Sequence, residues 1–226
     1  MATATARTVI EGTLALDYFT GTNPAVDVCW AKGPKGSKLV LAVGENASGK
    51  SFYRRVIQSW CQHRSKEGIE CIDLSMERRS VSSVTRAFIY GGDEGRDSTG
   101  RLTVSSILGA IHTSQGREKP HILIWDEPDL GLSEAGSLGA AQEINEFMQD
   151  PPKRLVMAVV VSHSRTMLRG LREIPHHFLH FGKESHTLDS WLQRPVQPRR
   201  LDEIREANLA RYKAIQVILN AQKARS

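Results

Sequence analysis

No apolar run in this 226-residue chain approaches the roughly 18 consecutive residues that a membrane-spanning helix needs, so insertion into a bilayer is not expected. Residues 1–7 (Met-Ala-Thr-Ala-Thr-Ala-Arg) lack the apolar core of a secretory signal, which points to a cytoplasmic protein. Cysteines are few. Cys29, Cys61 and Cys71 show no metal-ligand spacing, which excludes a zinc ribbon or a disulfide-stapled scaffold and predicts reduced thiols. Internal repeats are lacking, as are low-complexity tracts outside the glycine-rich segment 91–100. A large excess of one charge is also missing. The 30 Lys and Arg against 25 Asp and Glu leave +5, which permits contact with nucleic acid or an acidic partner without demanding it. What remains is ordinary for a globular chain, and the length suits one α/β domain, or a domain with a small appendage.

Residues 44–51 read Gly-Glu-Asn-Ala-Ser-Gly-Lys-Ser, a complete G-x-x-x-x-G-K-[ST] loop, and they follow the apolar run 38–43. A buried strand entering a glycine-rich turn, with a helix starting near Lys50, aims consecutive backbone N–H groups at one anion. In that geometry Gly44, Glu45, Asn46, Ala47, Ser48, Gly49, Lys50, Ser51 and Phe52 surround a polyphosphate. Lys50 reaches the β- and γ-phosphates and the Ser51 hydroxyl binds Mg²⁺. A second motif, residues 121–128 (His-Ile-Leu-Ile-Trp-Asp-Glu-Pro), reads as a buried parallel strand ending in acids. Open α/β sheets bind ligands at that edge. Asp126 is then placed to hold Mg²⁺, and Glu127 to orient or deprotonate a water attacking the γ-phosphate.

Elsewhere, short strands are expected at 8–16, 26–31 and 39–43, with a turn at 33–36 between the last two. Helices are expected at 50–64, 104–112 and 133–148, and strands at 69–74, 155–162 and 177–181. Beyond Pro195 and Pro198 the segment 199–223 carries Leu201, Ile204, Leu209, Tyr212, Ile215, Ile218 and Leu219 at roughly helical spacing, with a charged opposite face. Two readings stay open for it: a helix docked on its own domain, or a basic helix that meets a partner or DNA through Arg199, Arg200, Arg205, Arg211 and Lys213. The chain thus divides into a catalytic unit at 1–194 and a basic amphipathic helix at 195–226.

The order of these features resembles the ATP-binding-cassette ATPases, over residues 8–182. Residues 26–44 look like the family's lead-in strand, turn and strand, and Tyr18 sits about where the family places an aromatic on adenine. Asp126-Glu127-Pro128 matches its acid–glutamate–proline ending, and residues 129–133 its following loop. Residues 159–163 (Val-Val-Val-Ser-His) resemble its switch strand, which implies that His163 contacts the γ-phosphate and holds the attacking water with Glu127. The other histidines have no such placement. Ser98-Thr-Gly100 is a degenerate match to the serine–glycine–glycine turn that caps the ATP of a partner subunit. Residues 63–113 contain no glutamine, so the family's usual glutamine contact to Mg²⁺ is missing; Ser75 or Glu77 stands near its place.

The motifs look more like the soluble branch of SMC-like, RecF-like and overcoming-lysogenization-defect ATPases than like transporter subunits. Only residues 52–97 lie between the loop and the Ser98 turn, and no long heptad tract occurs, which excludes a coiled-coil arm and a fused nuclease. The resemblance implies an α/β P-loop NTPase fold: a mostly parallel sheet flanked by helices, an N-terminal antiparallel β portion and a reduced helical subdomain around 76–112. It implies an ATPase that binds ATP and Mg²⁺ and hydrolyses slowly. The dimer would be an ATP-dependent, head-to-tail homodimer, a nucleotide switch for a protein partner in DNA maintenance, mobile-element or defence processes. A transporter energy subunit and a small P-loop kinase are the alternatives.

Overall fold

The computed structural model describes residues 4–21, 23–63, 68–74 and 98–223. The chain is α/β, with a six-stranded, mostly parallel sheet between helices. In chain order the elements are α1 (Ala6–Leu14), β1 (Val28–Ala31), β2 (Leu39–Gly44), α2 (Lys50–His63), β3 (Glu70–Leu74), α3 (Thr99–Gln115) and β4 (His121–Asp126). They continue as α4 (Glu134–Gln149), β5 (Leu155–Val161), α5 (Arg165–Leu171), β6 (His176–Phe181), α6 (Leu188–Gln193) and α7 (Leu201–Lys223). The strand order is β1-β6-β2-β5-β4-β3. Among the described residues only β1 runs antiparallel, along the edge of β6; the other pairings are parallel.

The central strands β2 and β5 are buried along their whole length, and their Leu/Val/Ala composition suits a sheet covered on both faces. Alternation along β2 divides the core. Leu39, Leu41 and Val43 point to one face with Leu123, Trp125 and Val160, where they meet α4, α5 and α6 through Ile144, Leu168 and Trp191. Val40 and Ala42 point to the other with Ile124 and Val159, where they meet α1 and α2 through Ile10, Tyr53 and Ile57.

The segment 8–16, expected as a strand, belongs largely to helix α1. Its β-branched residues suggested extended backbone, but Ala6, Val9, Ile10 and Thr13 are the buried set, and that spacing is helical. A reciprocal capping box between Thr5 and Thr8 closes the first turn, and the Thr13 hydroxyl lies 3.1 Å from that of Tyr53 on α2. The expected N-terminal antiparallel β portion therefore shrinks to the single strand β1. Helices α5 and α6 went unanticipated, being only 7 and 6 residues long. Each is announced by a cap, Ser164 and Thr187, whose hydroxyl accepts from the backbone three residues on. Of the expected helical portion around 76–112, α3 is present from Thr99, while 75–97 fall outside the described residues, as do Ser75 and Glu77.

Candidate functional site

Strands β2, β5 and β4 are neighbours, so their carboxyl ends bring three distant segments to one edge of the sheet. The loop 44–51 leaves β2 and enters α2, Ser162 and His163 follow β5, Asp126 ends β4 and Glu127 follows it. Sequence separation is thereby exchanged for proximity along a single edge, the one at which open parallel sheets hold their ligands.

The loop turns tightly, with Ser48 N–H donating to the Glu45 carbonyl at 3.1 Å and Tyr53 N–H to that of Gly49 at 3.0 Å. Ala47 has a positive φ of 65°, which costs a non-glycine residue on the order of 1 kcal/mol. Gly49 is required twice over. Its φ is +107°, and a Cβ there would lie 2.7 Å from Val26 Cγ1 and 3.0 Å from Arg211 Nη1. Lys50 is only 7% exposed, and its Nζ donates to the carbonyls of Gly44 at 2.7 Å and Glu45 at 3.0 Å. Burial pushes the Lys50 ammonium below its ordinary pKa, against the pull of Glu127, Asp126 and Glu45. Burial raises the Glu45 carboxyl, but its ion pair with Arg194 outweighs this and holds it below the ordinary range. Ser51 is exposed and Phe52 half-buried in the first turn of α2.

Asp126 is half-buried beside a network that the sequence did not announce. Arg54 of α2 reaches it at 3.4 Å and also pairs with Asp73 of β3 at 3.1 Å, and Gln58 donates to Asp73. The signal for Arg54 was its position, since it falls on the inward stripe of α2 between Tyr53 and Ile57. Burial raises the Asp126 carboxyl to about 6, although the Arg54 charge opposes the shift. Ser51 and Asp126 offer hard oxygen donors of the kind Mg²⁺ takes, with phosphate oxygens and water completing its shell. No cluster of three or more His, Cys, Asp or Glu side chains among the described residues could hold a metal by itself.

The raised Asp126 value carries a stability consequence. Between its ordinary 3.8 and about 6, the folded state keeps a proton that the unfolded chain has released. Stability therefore falls as pH rises through that window, and the full penalty, roughly 3 kcal/mol, is present above it. Asp126→Asn is expected to gain thermal stability over the wild type at pH 7.5 but little at pH 4, in melts without Mg²⁺. An identical difference at both pH values would count against this account.

Glu127 follows β4 with a positive φ of 53°, and its N–H donates to the Val161 carbonyl at 2.8 Å. Its carboxylate lies 3.3 Å from His163 Nδ1, and that contact raises the His163 pKa despite partial burial. The two candidate catalytic residues are thus in contact. Three further residues brace the segments that carry them: the buried Ser162 hydroxyl donates to Asp129 at 2.9 Å and accepts from Ser164 N–H at 2.9 Å, tying the end of β5 to the loop after β4. Such a carboxylate–imidazole pair can accept a proton from water and hold it near an anion.

The remaining expected residues lie elsewhere. Ser98 caps α3, accepting from Arg101 N–H at 3.3 Å, and Gly100 packs against the backbone of Gly131. Gly131 has φ +75°, and a Cβ on it would stand 2.9 Å from Thr99 Cβ. Gly131→Ala is accordingly expected to cost about 1–3 kcal/mol in denaturant unfolding; a cost near zero would show that this close approach is soft. Tyr18 is buried with its ring edge on Phe52, centroids 5.0 Å apart, and its hydroxyl donates to Gln222 of α7 at 3.0 Å. It borders a cavity of about 490 Å³ with Phe52 and Trp60.

The terminal helix docks on its own domain. Ile215 packs on the α1/α2 core, and Asn208, Arg211, Tyr212 and Gln216 form the wall of a cleft of about 390 Å³ whose other side is the loop 46–51 and Glu127. Of the five basic residues expected on an open face, Arg199, Arg200, Arg205 and Lys213 are exposed, whereas Arg211 is turned inward against Gly49. A larger cavity of about 530 Å³, with Lys35, Lys38 and Arg154, lies at the opposite edge, away from both acids and from His163. Convergence of polar groups, not size, favours the smaller cleft.

No protein-family model matches the chain, and no curated protein matches it. No helix among the described residues is long and apolar enough to cross a membrane.

Proposed function

We propose that the protein is an ATPase of the P-loop class, of ABC-like type, that binds Mg-ATP at residues 44–51 and releases ADP and phosphate. The observation that carries this reading is the meeting at one sheet edge of Lys50 with the Glu127–His163 pair, 3.3 Å apart. The glycine-rich loop supplies N–H donors and Lys50 supplies charge for the phosphates. Ser51 and Asp126 would hold Mg²⁺, which when bound neutralises the developing phosphate charge. Glu127 takes the proton of the attacking water, and His163 keeps Glu127 and that water aligned. Tyr18 and Phe52 line the cavity best suited to the adenine ring.

Inorganic phosphate release from ATP with Mg²⁺ tests the reading directly. Phosphate delivered to an added acceptor instead would mean a kinase, and co-fractionation with membranes would favour the transporter alternative. We further propose that the protein is a nucleotide switch for a partner in DNA maintenance, mobile-element or defence processes, working as a head-to-tail dimer through Ser98–Gly100. Support for this part is the motif resemblance and the mild basic surplus. A second protomer would have to reach a cleft that α7 already borders, so dimer formation is to be measured separately from hydrolysis.

A further inference from the structure

We propose that Arg211, carried by the C-terminal helix, is a second phosphate-binding cation of the cleft, so that α7 is one wall of the nucleotide site. The inference rests on reading 44–51 as a phosphate loop. Its motivation is an unmet demand for an anion. Arg211 Nε and Nη1 are buried and make no hydrogen bond among the described residues. Nη1 lies 3.0 Å from where a Cβ on Gly49 would sit, so the glycine directly before Lys50 leaves room for the guanidinium beside the loop. Arg211 and Lys50 line the same cleft. Arg211 is among the groups lowering Lys50, while burial lowers Arg211 itself and the Asp27 carboxylate opposes that shift.

Two neighbouring cations, of which Arg211 keeps two donors unspent, call for negative charge beyond Asp27 on the Arg211 side and Glu127, Asp126 and Glu45 on the Lys50 side, since a buried polar group left unpaired forfeits its hydration. A polyphosphate placed against the loop N–H groups would supply that charge to both. The guanidinium fork suits phosphate geometry, and docking of α7 through Ile215 and the Tyr18–Gln222 hydrogen bond, with the Arg199–Asn46 contact just ahead of the helix, fixes its direction. Arg211 would then engage phosphate oxygens from the α7 wall of the cleft, beside Gly49. It differs from the exposed Arg205 and Lys213, which have no such position.

The test uses the full chain and two probes, Mg-ATP and inorganic tripolyphosphate, by titration calorimetry. Arg211→Met keeps the length and apolar contacts of the side chain and removes the charge; Arg211→Lys restores a charge. Arg211→Met is expected to weaken both probes at least ~10-fold, the size of one charge-assisted hydrogen bond, and Arg211→Lys to recover most of the loss. Binding that Lys50→Ala abolishes but Arg211→Met leaves unchanged overturns the role of Arg211 alone. A loss in Arg211→Met that Arg211→Lys shares in full also overturns it, because the arginine would then serve only packing. Failure of the wild type to bind tripolyphosphate, or unchanged binding by Lys50→Ala, overturns the phosphate-loop reading beneath it.

Discussion

Replacing Lys50 with alanine is expected to cut ATP affinity by on the order of 10²-fold or more, as two charge-assisted phosphate contacts are lost together. The expectation follows from the state of the ammonium in the structure. Lys50 Nζ is folded back on the carbonyls of Gly44 and Glu45, in a site where burial already disfavours its charge. Those carbonyls are weak substitutes for a phosphate dianion, so ligand binding releases an ammonium that is poorly satisfied. The same reasoning predicts no loss of fold. Removing a desolvated cation relieves a cost, so the melting temperature of Lys50→Ala without nucleotide is expected to equal or exceed that of the wild type. Wild-type ATP affinity in Lys50→Ala would remove the basis for placing a nucleotide here. Lost affinity with a lowered melting temperature would point to misfolding instead.

Glu127→Gln is expected to bind ATP about as well as the wild type and to turn over at least ~10²-fold more slowly, the lower range for loss of a general base. Glutamine keeps the shape of the side chain and can still meet His163, but it cannot take a proton from water. The variant is also expected to hold an ATP-bound dimer on size-exclusion chromatography, since a pair of sites that cannot hydrolyse cannot release. Hydrolysis at the wild-type rate would show that Glu127 is not the base. Two structural details sharpen the comparison. The backbone of Glu127 is strained, at φ 53°, and its N–H is tied to Val161, so its position does not depend on the carboxylate. The His163 pKa, raised through Glu127, should return toward its ordinary value in the variant, which the imidazole proton resonances would report.

The sheet edge was legible in the sequence because it is written locally. An apolar run followed by Gly-x-x-x-x-Gly-Lys-Ser, and another followed by Asp-Glu-Pro, place loops and acids by the direction of their own strands. The contact of Glu127 with His163 followed from the family resemblance, which supplied what the spacing alone did not. Three things were less visible. The helix α1 was hidden because Thr8, Val9 and Ile10 favour extended backbone in isolation, and only burial against α2 decides the outcome. The Arg54–Asp73–Asp126 network joins α2, β3 and β4, and no local pattern links those positions. The role of Arg211 was obscured by its neighbours. Arg205 and Lys213 flank it in sequence, and a helix rich in basic residues does not declare which one faces inward until its docking is known.

The leash on α7 is short. Arg194 is anchored by its ion pair with Glu45 and by its guanidinium 5.2 Å above the Trp191 ring, and only residues 195–200 separate it from the first residue of the helix. A group delivered on so short a tether behaves as if dissolved at millimolar strength or higher beside its target. The guanidinium at Gly49 is therefore present at the cleft at any dilution of the protein. A cation lent by another subunit would instead be diluted away, so this half of the site belongs to each molecule from the moment it folds.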